Sequence, residues 1–508
     1  MNAPLRRVGV VVLVLFGLLF ANLNWVQAYR ADDYRNSPYN KRVMLDEYKR
    51  QRGFIMIGGT QLALSVPTGD ELKYLRTYPL KEQYAHLLGY KPVSGAATGI
   101  EQSENAFLAG TSDKLFGDRF RDLFTGEQTA GGNVVLTISP TAQERAFKEL
   151  AANKVGAKKG AVVALDPETG AIKALVSMPS FDPNLLTTHD VDAATANYNK
   201  LLNDPDKPLL NRALSEIYEP GSVMKTIIAA AALEDGRSPS TPVQGGQFYQ
   251  APGTDHQIPN STGVVCPDTI TLIQALTVSC NTAFARLGVD LGAQKIIDRA
   301  KLFGFYQSDL AVGRLGGKGI EAGTPVAQSV LGELYNKDGK GNVTGENKPI
   351  IALSSIGQAN VSMTPLQGAM IAASIANEGK QMRPYLVQEL VGADLSTGFY
   401  SARAEELQRS CQKSTAIGLQ QMMISVVENG TGSKARIDGY QVGGKTGTAE
   451  TGEGENTHGW FVGFALKDNR PVAAVAVFLE NAGKGGSAEA ARIAGQVMRG
   501  VIADRAGK

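Results

Sequence analysis

The chain has few of the residues that metal sites and histidine-dependent catalytic sites use. Its 508 residues include only four histidines, at positions 86, 189, 256 and 458, and three cysteines. The sequence contains no His-x-x-x-His or Cys-x-x-Cys pair, which are the spacings that usually hold a metal or form a redox pair. We therefore expect no metal and no cofactor, and we expect a base other than histidine if the protein is a hydrolase or transferase.

The chain also lacks an excess of charge of either sign. Its formal net charge is +2, and no basic run of the kind that binds polynucleotides is present, so we expect no nucleic-acid partner. With 43% hydrophobic and 20% charged residues and no low-complexity tract, the composition is that of a globular protein. At this length we expect two or three domains.

A single long apolar run lies at the N-terminus. Arg6 and Arg7 precede Val8–Ala21, and weaker apolar character continues to Val26. This length is just sufficient to span a bilayer, and the two arginines favour a cytoplasmic N-terminus with the remaining chain outside. A cleaved signal peptide ending near Ala28 is the alternative, and it exports the same chain. We expect residues 1–28 to be a cytoplasmic tip and a transmembrane anchor in the cell membrane.

Two cysteines lie close together in the sequence, at Cys266 and Cys280. An exported chain would permit a disulfide between them. Two buried free thiols are the other reading, because the sequence does not show how close their Cα atoms come.

Hydrophobic periodicity divides the exported part into two domains. We expect residues 29–155 to form a smaller mixed α/β pedestal, resembling a dimerisation domain, and residues 156–508 to form the main domain. The pedestal contains a predicted strand at Val134–Ile138 and a predicted helix at Thr141–Asn153.

The main domain begins and ends with predicted hairpins. Their strands are Ala161–Leu165, Ala171–Val176, Gly459–Ala465 and Val472–Leu479. Predicted helices are Val223–Leu233, Leu272–Gly288, Thr364–Asn377 and Ser487–Ala503. Strands from both ends with helices between them predict an α+β fold, in which an antiparallel sheet is flanked by helices.

The first chemical motif is Ser222-Val-Met-Lys225, which follows a Pro-Gly turn and precedes an apolar helix. Residues three apart share one helix face, so Lys225 lies beside the Ser222 hydroxyl. Burial favours a neutral amine, which can take the proton of a nucleophilic serine. Ser222 as an ordinary helix cap is the alternative.

A second motif, Ser279-Cys-Asn281, ends an apolar helical pattern. The Ser279 hydroxyl can pass a proton to a leaving amine, and the Asn281 amide can hold a substrate amide and orient Lys225. A simple cap or turn is the alternative, because such triplets are common.

The third motif is Lys445-Thr-Gly447, in a run of small residues that favours close approach of a ligand backbone. Lys445 can attract a carboxylate and lower the pKa of Lys225. Thr446 and Thr448 offer hydroxyls to the same anion, and Gly447 leaves room. Gly439 to Thr446 formally fits a phosphate-binding loop, but the polar flanks lack the strand and helix that such a loop needs.

Taken together, the three motifs resemble the signature of the penicillin-binding protein and serine β-lactamase superfamily. Longer stretches resemble class B penicillin-binding proteins, and they are Tyr218–Lys225, Ser355–Gln367, Gly444–Ala449 and Trp460–Gly463. Within that class the chain is most similar to the short A-type members of actinobacteria. In the pedestal, Arg52-Gly53 and Arg76-x-Tyr78-Pro79 also resemble family elements, whereas Met56–Gly59 replaces the usual Asp-Arg-Asn-Gly element.

The resemblance implies a peptidoglycan D,D-transpeptidase of the cell wall. Ser222 would attack a D-Ala-D-Ala donor stem, Lys225 would act as base, and Ser279 with Asn281 would serve the leaving group. Lys445, Thr446 and Thr448 would bind the donor carboxylate. Backbone N–H groups of Ser222 and Thr448 would form the oxyanion hole, and β-lactams would acylate Ser222.

Two other functions are weighed against this one. A D,D-carboxypeptidase or β-lactamase would share the site, but the anchor and pedestal favour cross-linking of wall peptides, with an amine acceptor stem and cell-division proteins as partners. A β-lactam sensor or a division scaffold is the non-enzymatic alternative, and the intact catalytic residues argue against it.

Overall fold

The computed structural model describes residues 2–31, 34, 48–115, 117, 124, 129–450 and 456–506. An apolar helix, α1 (Asn2–Asn24), continues into a short π-helix at Trp25–Tyr29. The segment Arg6–Tyr29 is long and apolar enough to cross a membrane, and none of it is buried against the rest of the chain. Exposed apolar side chains from Val8 to Leu23 need a nonaqueous environment, which is consistent with a membrane anchor.

The N-terminal region is built on a mixed sheet with short helices beside it. Its strands are β1 (Ile55–Ile57), β2 (Thr60–Pro67), β3 (Tyr74–Thr77) and β4 (Asn133–Leu136). Its helices are α2 (Ala85–Leu88), α3 (Gly99–Ser103) and α4 (Asn105–Leu108), with 3₁₀ turns at Lys81–Gln83 and Asp113–Leu115. The predicted strand at Val134–Ile138 therefore lies at Asn133–Leu136, one residue earlier at its start and two at its end.

A buried carboxylate ties the two arginines of the family-like elements together. Glu101 is fully buried and accepts from Arg52 Nε at 2.7 Å and Arg76 Nε at 2.6 Å. Burial raises the pKa of Glu101, but the two guanidinium groups outweigh that effect and hold it below its ordinary value. These arginines thus serve the packing of the region. No pattern in the sequence identified Glu101 as their common partner.

The helix predicted at Thr141–Asn153 is α5 (Pro140–Ala151), and it packs against Ile172–Met178 and Gly486–Ala506. The strands that follow are β5 (Gly160–Leu165), β6 (Ile172–Met178), β7 (Pro242–Gln244), β8 (Phe248–Gln250), β9 (Gln257–Pro259), β10 (Thr269–Thr271), β11 (Ala311–Val312), β12 (Thr324–Pro325), β13 (Tyr335–Lys337) and β14 (Val343–Glu346). The remaining strands are β15 (Lys380–Met382), β16 (Val387–Val391), β17 (Gly398–Ser401), β18 (Glu406–Arg409), β19 (Gln441–Ala449), β20 (His458–Lys467) and β21 (Arg470–Leu479).

The helices of the main region fill the middle and the end of the chain. They are α6 (Asn184–Thr187), α7 (Val191–Leu202), α8 (Arg212–Ser215), α9 (Lys225–Glu234), α10 (Leu272–Thr277), α11 (Asn281–Leu291), α12 (Ala293–Leu302), α13 (Lys348–Ser354), α14 (Pro365–Ala376), α15 (Lys413–Asn429) and α16 (Gly486–Ala506). Further 3₁₀ turns lie at Gly221–Met224, Gly319–Ala322 and Ser433–Ala435.

The central sheet has the strand order β19-β20-β21-β5-β6, and every neighbouring pair is antiparallel. Alternate residues of β5 face opposite sides, so Ala161 and Val163 join one hydrophobic core while Val162 and Ala164 join another. Helices α5 and α16 cover the second side, and α14 covers the first. The predicted antiparallel sheet flanked by helices is confirmed.

The structure differs from the predictions at one helix and at the N-terminal sheet. The segment Leu272–Gly288, predicted as one helix, is two helices, because Ser279 between α10 and α11 adopts a positive φ of 62° that no α-helix contains. The N-terminal sheet also has an unpredicted composition. Its order is β17-β16-β4-β1-β2-β3, so a hairpin from far along the chain completes it.

Candidate active site

Ser222 lies on the 3₁₀ turn Gly221–Met224, which leads directly into the buried helix α9. The turn is fixed by Gly221, whose N–H donates to the Gly357 carbonyl at 3.0 Å. Gly221 has a φ of 51°, and a Cβ there would lie 2.3 Å from the Thr448 carbonyl oxygen. The Ser222 side chain is half-buried, and its Oγ makes no hydrogen bond within the described residues. Its hydroxyl is therefore placed at the sheet edge without a competing partner.

Lys225 is the first residue of α9 and is completely buried. Its Nζ donates to the Asn281 Oδ1 at 2.6 Å, to the Ser279 carbonyl at 2.8 Å and to the Ser279 Oγ at 3.2 Å. Three acceptors fix the direction of this amine within a site that water does not reach.

Ser279 occupies the break between α10 and α11. Its Oγ receives a second amine, Lys445 Nζ, at 2.9 Å, so one hydroxyl lies between two buried lysines. Because both amines can donate to the oxygen, the Ser279 proton is left to point elsewhere or toward whichever amine is neutral. That geometry suits a hydroxyl that relays a proton.

Lys445 lies in the middle of β19, opposite Val462 of β20, and is also completely buried. Burial lowers the pKa of Lys445 to about 7. Burial, and secondly the charge of Lys445, lower the pKa of Lys225 well below its ordinary value of 10.5. Two cations on one buried hydroxyl are unfavourable, so the neutral form of Lys225 is favoured and Lys225 can act as a base.

The threonines of the third motif face different surroundings. The Thr446 side chain is buried, and its Oγ1 is 2.5 Å from the Thr431 Oγ1, whereas Thr448 is exposed at the strand edge. A Cβ on Gly447 would lie 2.4 Å from the Pro220 carbonyl oxygen. Gly447 thus allows β19 to approach the Ser222 turn.

Asn281 begins α11 and is held at both ends of its side chain. Its Oδ1 accepts from Lys225, and its Nδ2 donates to the Pro259 carbonyl at 3.0 Å. Cys266 and Cys280 form a disulfide, which ties the preceding loop to the middle residue of this motif.

The structure therefore brings together the three motifs around one hydroxyl. It also adds residues that the sequence analysis did not single out, namely Thr431, Asn260 and Gly357. Gly357 lies within Ser355–Gln367, a stretch already noted for its resemblance. Thr431 and Asn260 carried no comparable sequence signal. In the described ranges no group of three or more His, Cys, Asp or Glu side chains could hold a metal ion.

The family described as "penicillin binding protein transpeptidase domain" matches residues 160–499, and the family described as "penicillin binding protein A dimerisation domain" matches residues 52–134. The chain belongs to the class B penicillin-binding proteins. The family predicted from the motifs is thereby confirmed.

Two relatives support this membership along 99% of the chain. The peptidoglycan D,D-transpeptidase PbpA of Mycolicibacterium smegmatis is 41% identical over 508 residues, covering 99% of each chain. PbpA of Mycobacterium tuberculosis is 39% identical over 509 residues, covering 99% of this chain and 98% of the other. The fold is similar to the ceftriaxone acyl-enzyme complex of penicillin-binding protein A from M. tuberculosis. The TM-score is 0.82 at 37% identity, covering 90% of this chain and 100% of that one.

Proposed function

We propose that this protein is a peptidoglycan D,D-transpeptidase that cross-links stem peptides through an acyl-enzyme on Ser222. The observation that carries the proposal is the Ser279 hydroxyl between two completely buried lysines, next to the turn that presents Ser222. This arrangement supplies a neutral base, a proton relay and a cation for the donor carboxylate. The names of the PbpA relatives agree with that chemistry.

The first half-reaction transfers the donor to the enzyme. Lys225 takes the Ser222 proton as Oγ bonds to the carbonyl carbon of the penultimate D-alanine. The backbone N–H groups of Ser222 and Thr448 stabilise the oxyanion. The bond to the terminal D-alanine then breaks, and its nitrogen receives a proton through Ser279.

The substrate is held by groups around the reacting bond. Lys445, Thr446 and Thr448 bind the carboxylate of the terminal D-alanine, and the negative charge restores the protonated form of Lys445. Gly447 leaves space for the donor backbone along β19. The Asn281 amide holds the donor amide and orients Lys225.

The second half-reaction regenerates the serine. An amine from a second stem attacks the ester carbon, and a new amide bond forms as the bond to Ser222 Oγ breaks. Oγ regains a proton from Lys225, while the attacking amine loses one to the same relay. A β-lactam enters the first half-reaction as a donor mimic and leaves Ser222 acylated.

The anchor and the domain boundaries belong to the same proposal. Residues 1–28 would place the N-terminus in the cytoplasm, 29–155 would form the pedestal, and 156–508 would act outside the cell membrane. Arg6 and Arg7, at the start of the apolar segment, support this topology. From the outer face of the membrane, the protein would contact its partners in a cell-wall or division complex. Tags on each terminus, tested for protease access in intact cells, should be cleaved at the C-terminus only.

A transpeptidase transfers the acyl group to an amine, whereas a carboxypeptidase or β-lactamase transfers it to water. We expect the full chain in detergent to release D-alanine from a stem ending in D-Ala-D-Ala and to join that stem to an amine acceptor. Ser222→Ala should do neither, and Ser401→Ala, at an exposed serine of β17, should do both. Product mass spectrometry checks the outcome. Hydrolysis without transfer, or rapid turnover of penicillin, would favour a carboxypeptidase or β-lactamase.

A further inference from the structure

Asn260 contacts the catalytic loop although it lies 21 residues before Asn281 in the sequence. Its Oδ1 accepts from the Asn281 N–H at 2.9 Å and from the Thr282 N–H at 3.2 Å. Its Nδ2 donates to the Gly246 carbonyl at 2.9 Å. The Asn260 amide therefore bridges the first turn of α11 and the loop after β7.

The first turn of α11 needs an oxygen acceptor from elsewhere. Its N-cap residue is Cys280, which is bonded to Cys266 and offers only a sulfur, 3.4 Å from the Ala283 N–H. Sulfur is a weak hydrogen-bond acceptor, and the first N–H groups of a helix have no partner within the helix. Asn260 supplies the missing oxygen to Asn281 and Thr282.

The same contact fixes the side chain that meets the base. Asn281 Oδ1 accepts from Lys225 Nζ at 2.6 Å, and Asn281 Nδ2 donates to the carbonyl of Pro259, the residue before Asn260. The backbone N–H and the side chain of Asn281 thus both form hydrogen bonds with the segment Pro259–Asn260, at the end of β9. A shift of that segment moves Asn281 relative to Lys225.

We propose that Asn260 is a positioning residue for the acyl transfer, acting through Asn281 on the base Lys225. Asn260 caps α11, because the N-cap residue Cys280 has no side-chain oxygen. It also keeps the side-chain Oδ1 of Asn281 within hydrogen-bond distance of Lys225 Nζ. This inference rests on the proposed function, because it assigns Asn260 a role in activating Ser222.

The role has a consequence for pH dependence. An acceptor on an amine stabilises its protonated form, so a displaced Asn281 should lower the pKa of Lys225 further. Lys445 from β19 is the charged group that acts on Lys225, and Phe284 of α11 presents its ring 5.9 Å away. Neither is changed by a substitution at Asn260.

Two substitutions at Asn260 separate positioning from folding. Asn260→Ala removes the acceptor, and we expect a fall of about tenfold to a hundredfold in the rate of Ser222 acylation by penicillin. We also expect the pH midpoint of that rate to move down. Asn260→Asp keeps the acceptor for the Asn281 and Thr282 N–H groups, loses the donor to the Gly246 carbonyl and adds a negative charge. We expect its maximal rate to stay within a few-fold of the wild type and its midpoint to move up.

The matched control is Asn347→Ala. Asn347 caps α13 by accepting from the Ile350 N–H, and its neighbour Glu346 contacts Ala293, beyond the far end of α11. Melting temperature and the fraction acylated at long times show that each variant folds. The control should keep the rate and the pH midpoint of the wild type.

The outcomes are distinguishable. No adduct on the wild type would overturn the proposed function itself. A wild type that acylates while Asn260→Ala keeps its rate and midpoint would overturn the positioning role alone. A lower rate with an unmoved midpoint, or an equal midpoint shift in Asn347→Ala, would also contradict it, because either indicates a purely structural effect.

Discussion

Lys225 and Lys445 meet on one hydroxyl, and both are shielded from water. A buried ammonium is costly without a counter-charge, and none of the atoms they contact carries a negative charge. Burial therefore lowers the pKa of each, and the proximity of Lys445 lowers that of Lys225 further. The pair explains how a buried lysine can be neutral and so serve as a base.

The first prediction concerns the base. As the proposed base, Lys225 reacts in its neutral form, so the acylation rate should rise with pH through the lowered pKa of Lys225 and level off above it. Lys225→Met removes the proton acceptor with little change in side-chain length. We expect acylation to slow by roughly 10²- to 10⁴-fold. Time courses of labelling with a fluorescent penicillin, quenched at set times, measure this rate.

Lys467→Met provides the control for that prediction. Lys467 ends β20 at the surface, where its Nζ donates to the Gly439 carbonyl at 3.0 Å. We expect its rate and pH profile to match the wild type. A Lys225→Met protein that acylates within tenfold of the wild type would show that another group takes the proton.

The approach of β19 to the turn that carries Ser222 decides the geometry of the candidate site. Gly447 has no room for a side chain, since an added Cβ would meet the Pro220 carbonyl oxygen at 2.4 Å and Val223 Cγ2 at 2.9 Å. Both neighbours belong to the turn region that carries Ser222, so the strand cannot keep its position with a larger residue.

We therefore expect Gly447→Ala to push β19 away from the turn and to slow acylation about a hundredfold, because small displacements of reacting groups have effects of that size. Gly59→Ala is the control, since nothing lies within 4 Å of an added Cβ and the residue does not have a positive φ. Labelling rates, with melting curves for both variants, test this. An unchanged rate in Gly447→Ala would mean that the strand position does not limit the reaction.

The elements of the main region could be predicted where the hydrophobic periodicity of the residues matches the secondary structure that they form. Strands β5 and β21 and helix α14 lie within a few residues of their predicted bounds. The positive φ at Ser279 could not be predicted, although the polar triplet Ser279-Cys-Asn281 marks the end of the apolar pattern. The turn is instead stabilised by contacts with Lys225, Asn260 and the disulfide, which are distant in sequence.

The N-terminal region and the main region share a sheet. Strand β16 pairs antiparallel with β4, and the buried Asn133 joins three strands. Its Oδ1 accepts from Phe54 N–H at 2.7 Å, and its Nδ2 donates to the Gly392 carbonyl at 2.6 Å. The N-terminal sheet therefore depends on the β16–β17 hairpin, since Asn133 and Gly392 are 259 residues apart in the sequence.

This pairing marks the limit of prediction from sequence. The three motifs indicated the chemistry because catalytic residue types recur at short spacings. Asn260, Thr431 and the β16–β17 hairpin are defined only by tertiary contacts, and their sequences resemble ordinary loops and edge strands. The domain boundaries and the roles of the individual site residues remain predictions.

Peptide mapping by mass spectrometry of the full chain after treatment with penicillin G tests whether Ser222 is the nucleophile. We predict one stable adduct, located on the peptide that contains Ser222, and its absence from Ser222→Ala. An adduct on a different residue, or a folded wild-type protein that forms no adduct, would contradict the assignment of Ser222 as the nucleophile.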